Sequence, residues 1–151
     1  MKLAEALAIR ADLVQKVQQI KTRLYDCVKV QEGDEPSETA EQVINDLDAA
    51  LAQLKKIIYR INMTNSATVT TDGDNLTSLL ARRDVLKMKV KALKEGLDRL
   101  TAQENRYGRN EIKYVRTVDV NHYRHLYDTV AGELRKLDLT IQELGWTTEL
   151  I

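Results

Sequence analysis

The sequence predicts a mainly α-helical protein, an antiparallel, coiled-coil-like bundle of four long helices with a short β-hairpin between the second and third. Three observations lead there. Four stretches carry apolar residues at alternating intervals of three and four, which keeps one stripe of a helix facing a partner. The connections between them are short, which favours antiparallel neighbours. The strongest chain-reversing signals, Gly33, Pro36 and Asp72-Gly73, fall between the periodic stretches. At 151 residues the chain is about one domain long, and a single domain over residues 1–151 is expected.

The first helix is expected over about 2–30, with a seam of Leu13, Val17, Ile20, Leu24 and Cys27, and it ends in the acidic stretch Gln31 to Pro36. The second, about 39–62, opens on Thr39-Ala-Glu-Gln42, which has capping-box spacing. Its seam reads Ile44, Leu47, Leu51, Leu54, Ile58 and Ile61. β-Branched residues around Asp72-Gly73 predict a hairpin over about 67–76. An isolated hairpin is marginal in water, so the tail from Trp146 onward, of this chain or of a neighbouring copy, is expected to lie on it.

The third helix is expected over about 77–107, with Leu79, Leu86, Val90, Leu93, Leu97 and Leu100 on its seam, followed by a loop with an extended piece from Ile112 to Val118. The fourth, about 119–144, takes Asp119 as N-cap, with Val118 and Tyr123 as a hydrophobic staple. Its seam is Tyr123, Tyr127, Val130, Leu134, Leu137, Ile141 and Leu144, and Gly145 is expected to close it, with Trp146 folding back. Up-and-down connectivity gathers the irregular segments at two poles. The first holds 31–36 and 107–118; the second holds the hairpin and both chain ends.

Charged residues make up 30% of the chain at zero formal net charge, which argues against a polyelectrolyte partner. Nucleic acid is therefore not the expected partner. The lone Cys27 lies in seam register and suits a reducing compartment. Early charges exclude a signal-peptide core, and no segment approaches ~18 uncharged apolar residues. A cytoplasmic protein with no membrane contact is expected.

Two seam positions carry charge. Arg10 and Arg83 would fall at the second pole, where they either form structural ion pairs or hold a partner or ligand anion. Tyrosines at the first pole, Tyr25, Tyr107, Tyr114, Tyr123 and Tyr127, accompany Arg109 and Arg116, a mixture able to stack bases and bind phosphate. Glu32, Asp34, Glu35 and Glu38 map to the same pole, and mutual neutralisation is the simpler outcome. His122 and His125, three apart on one helix, are weak metal candidates, since matching carboxylates from other helices are missing. No phosphate loop, nucleophile elbow or Cys-x-x-Cys is present, so no catalytic residue and no cofactor are expected.

The blocks Met1-Lys-Leu-Ala-Glu-Ala-Leu7, Arg10-Ala-Asp-Leu13, Val30-Gln-Glu-Gly-Asp-Glu-Pro36, Ile61-Asn-Met-Thr-Asn65, Arg83-Asp-Val-Leu86, Tyr107-Gly-Arg-Asn-Glu-Ile112, Thr117-Val-Asp119 and Trp146-Thr-Thr-Glu-Leu150 together span nearly the whole chain. In these it resembles the septicolysin-like family of small bacterial helical proteins. The resemblance implies a cytosolic long-helix fold of unknown activity, with no catalytic or binding residues to carry over. Pore formation is not expected, because no apolar span or tryptophan-rich membrane segment is present.

Several stripes are wider than a two-position seam: Leu7, Val14 and Val28 broaden the first, Val43 and Ile57 the second, Leu80 the third and Leu126 the fourth. Extra apolar width must be buried, most simply against another copy. The expectation is a non-enzymatic structural or protein-interaction bundle that self-associates as a dimer or larger homo-oligomer. The alternative is a module for small anions or nucleic acid that uses Arg10, Arg83, Arg109 and Arg116 at the bundle ends.

Overall fold

A computed structural model describes residues 1–103, 108 and 112–151. It contains four helices: α1 (Leu3–Cys27), α2 (Ala40–Ala67), α3 (Leu76–Thr101) and α4 (Val120–Thr147). The chain divides into two compact units, one made of 1–76 with 142–151 and the other of 77–141.

In the first unit α1 and α2 form a helical hairpin. The sequence writes its core plainly: Ile20 of α1 meets Val43 and Ala50 of α2, and Val17, Leu24, Cys27 and Leu47 close around them. Burying one such aliphatic side chain is worth about 1.5–3 kcal/mol. α1 stops at Cys27, three residues before its expected end, and the connection turns at Gly33, whose φ of 90° is a left-handed conformation that favours glycine. α2 opens on the expected capping box, with Thr39 Oγ1 accepting from Gln42 N and Gln42 Oε1 from Thr39 N, both at 3.3 Å. Arg23 reaches across the hairpin to Glu38 and Asp46.

The chain ends close this unit. Leu3 N donates to Thr148 O at 2.9 Å and Leu150 N to Met1 O at 2.8 Å, so residues 2 and 149 form an isolated antiparallel bridge. Ile151 N donates to Thr64 Oγ1 at 3.0 Å, and Arg60 Nε donates to the Ile151 carbonyl at 2.7 Å. Leu3, Thr64 and Leu150 are buried at this junction. The tail thus takes the N-terminal residues as its pairing partner and not the 67–76 segment. Gly145 lies inside α4 and is buried near Ala4, where a β-carbon would make an ordinary 3.8 Å contact, and it does not end the helix. Trp146 is exposed and is not folded back.

No strand occurs among the described residues. The expected hairpin is a tight turn with one bridged pair, Val69 and Asn75, in which Thr70 N donates to Asp74 O at 2.7 Å and Gly73 has φ 86°. The reason is local. Thr68 N and Oγ1 both bond to Thr64 O, which keeps α2 winding to Ala67, and buried Leu76 starts α3 early. Residues 68–75 are too few for two strands.

In the second unit the α4 seam follows its expected line, with Val130 and Leu137 buried and Tyr123, Tyr127 and Leu134 half-buried. On α3, Leu79 is buried and Leu86, Val90, Leu93, Leu97 and Leu100 are half-buried. Asp119 caps α4: its Oδ2 accepts from His122 N at 2.8 Å. α3 ends at Thr101, short of the expected 107, and Arg116 Nε donates to the Leu100 carbonyl in its last turn at 3.1 Å. Residues 112–118 run irregular and exposed, without a strand partner.

Candidate functional site

Two surfaces stand out. The first is a face of α2. Val43, Ala50 and Ile57 are 0%, 1% and 7% exposed, while their immediate neighbours Ile44, Leu51 and Ile58 are 44%, 43% and 38% exposed. Each trio repeats every seven residues, and half-buried Leu47 and Leu54 lie between them. α2 therefore has two adjacent seams that share a border. One packs on α1; the other faces outward. Ala52, Lys55, Tyr59 and Asn62 frame the outward seam, and since all of these belong to one helix it is a face and not a cavity. The sequence reading assigned these roles the other way round, with 44, 51 and 58 as the seam and 43 and 57 as surplus width.

The second surface is a groove of about 420 Å³ in the second unit, between the end of α3, the 114–118 segment and the start of α4. Arg99 lies over the Tyr114 ring, 4.9 Å from its centre, a cation–π arrangement. Arg116 and Tyr123 line the same groove. Tyr123 fits because residue 96 is glycine: a β-carbon there would overlap the Tyr123 hydroxyl. Val118 is half exposed and borders the groove with Tyr123, in line with the staple spacing.

The residues singled out from sequence are dispersed. Arg10 is exposed on α1 in the first unit. Arg83 of the second unit is half-buried and pairs with its neighbour Asp84 at 3.0 Å. Arg116 is exposed and holds the Leu100 carbonyl, and Arg109 lies outside the described residues. His122 and His125 are exposed, and among the described residues no three His, Cys, Asp or Glu side chains converge as a metal site would require.

Two clusters escaped the sequence reading. Arg23 Nε donates to Glu38 Oε2 and its Nη2 donates to Asp46 Oδ2, each at 2.9 Å; Nη2 also bonds to Glu38 Oε1. The hydrogen bond to Glu38, then that to Asp46, raises the Arg23 guanidinium above its ordinary value, and the same bond lowers Glu38. Glu38 thus finds its partner within its own helical hairpin. Glu149 is lowered by hydrogen bonds from Lys2 first and the N-terminal amine second. Its Oε1 lies 2.7 Å from Lys2 Nζ and its Oε2 lies 3.0 Å from the amine. Both clusters join residues far apart along the chain, and no local pattern marks such a partner.

The chain matches, over residues 10–150, a family of unknown function, DUF6847. It belongs to the DUF6847 family. A solved structure described as a functionally unknown conserved protein from Corynebacterium diphtheriae is similar over 100% of this chain and 99% of its own, at 40% identity and a TM-score of 0.92. No curated protein matches in sequence. Membership in DUF6847 replaces the septicolysin-like resemblance: neither the family match nor the solved relative carries any link to septicolysin. As a DUF6847 member the chain inherits a fold and no assigned activity. Among its described residues, no helix is long and apolar enough to cross a membrane.

Proposed function

We propose that the chain is a non-enzymatic helical protein that works through self-association, its helices completing their bundling against a second copy. The observation that carries this reading is the outward row Ile44, Leu51 and Ile58 on α2. Apolar side chains repeated every seven residues and left in water are costly, and burial against another helix removes that cost at about 25 cal/mol per Å². The half-buried free thiol of Cys27 suits the cytoplasm, where thiols stay reduced. Sedimentation velocity at tens of micromolar tests the reading. A concentration-dependent dimer or larger species is expected, and a monomer throughout overturns it.

A second reading rests on the groove where Arg99 stacks on Tyr114 beside Arg116. That grouping suits a small anion or a single-stranded nucleic acid held by stacking and charge. Salt-dependent binding to RNA or DNA, lost on replacing Arg109 and Arg116, would favour it over self-association. No binding at low salt would dispose of it.

A further inference from the structure

Resting on the self-association reading, we infer that the outward face of α2 takes the α2 of a second copy, antiparallel, in a register set by Asp48 and Lys55. Written as a heptad, Ile44, Leu51 and Ile58 occupy position a, with half-buried Leu47 and Leu54 at position d and the third d residue, Ile61, already buried within the first unit. Val43, Ala50 and Ile57 are then position g, and they are buried in the first unit's own core. Asp48, Lys55 and Asn62 are position e, all exposed. Only the e flank is free to meet a partner.

That asymmetry selects the direction. In a parallel pair each e residue faces a g residue of the other helix, and here every g residue is apolar and already covered. In an antiparallel pair e meets e. Asp48 then lies beside Lys55 of the other copy, and the two-fold axis repeats the contact, which gives the self-complementary surface an isologous dimer needs. Charge along the helix has the same polarity, with Glu41, Asp46 and Asp48 toward its start and Lys55, Lys56 and Arg60 toward its end. Antiparallel pairing sets each acidic half against a basic half, and parallel pairing sets like against like. Asp46 is already held by Arg23, whereas Asp48 and Lys55 have no ion-pair partner among the described residues. The exposed row from Ile44 to Ile58 is about four helical turns long, and because α1 already supports the helix, its order need not be supplied by the contact.

The test is sedimentation equilibrium on the full chain with four variants. Leu51→Asp places a charge at the centre of the seam and should abolish the dimer, with an unchanged circular dichroism spectrum showing that the fold survives. Asp48→Lys and Lys55→Asp should each weaken dimerisation on the order of ten-fold, since each turns two attractive contacts into repulsive ones. The double variant D48K/K55D should recover the wild-type dissociation constant. A wild-type monomer overturns the self-association reading itself. A dimer indifferent to Leu51→Asp places the interface elsewhere and overturns this inference alone. Loss with Leu51→Asp but no recovery in the double variant overturns the antiparallel register.

Discussion

Tyr123 of α4 occupies space that only a glycine at position 96 of α3 leaves open. A β-carbon on residue 96 would overlap the Tyr123 hydroxyl and sit 3.1 Å from its ring Cζ. Gly96→Ala should destabilise the protein by about 1–3 kcal/mol despite the better helix propensity of alanine. Tyr123→Phe in the same chain should recover most of the loss, because the hydroxyl is the closest atom. Urea unfolding of the single and double variants checks the coupling; additive effects would show that the two residues do not meet.

Neighbouring positions on α2 should respond very differently to truncation. Val43 is fully buried against Ile20, so Val43→Ala should cost about 2 kcal/mol and Ile20→Ala about 2–4 kcal/mol. Ile44→Ala, measured at concentrations where the chain is monomeric, should cost less than about 1 kcal/mol, although it removes more carbon. Equal losses at 43 and 44 would show that the wrong row has been assigned to the core.

The paired chain ends should loosen in acid. Glu149 is held below the usual glutamate range by Lys2 and the N-terminal amine, so it binds protons less readily folded than unfolded. Its stabilising contribution is complete above the ordinary glutamate pKa and is lost as pH falls through the lowered folded value. Amide protection at Leu3 and Leu150 should drop across that acid window, and Glu149→Gln should remove the drop along with part of the protection at neutral pH.

Arg23 governs the 28–39 connection through Glu38. Replacing it with methionine keeps the apolar stem and removes the charge, so the Glu38 pKa should rise toward its ordinary value in an NMR titration. Hydrogen exchange in 28–39 should quicken in the variant. High salt should have a smaller effect of the same sign in the wild type, because the pair is solvent-exposed and screened.

Features legible in the sequence were those whose causes are local. Thr39 with Gln42 and Asp119 ahead of His122 satisfy backbone donors within three residues of themselves, and both caps appear where their spacing places them. The α4 seam from Tyr123 to Leu144 also follows its pattern, since that helix carries one dominant stripe. α2 is different. Its apolar arc holds two rows set about 100° apart around the helix, and either satisfies the three-and-four spacing. Periodicity alone cannot say which row is inside.

By itself, then, the sequence determined four helices, the N-caps of α2 and α4 and the zero net charge, because helix formation, capping and charge depend on residues a few positions apart. Tertiary structure decided which row of α2 meets α1, that the tail pairs with the first three residues, and that Arg23 takes Glu38 and Asp46. Each of those outcomes joins residues distant along the chain. The free energy of such a contact depends on what else competes for the same surface, and no single segment carries that information.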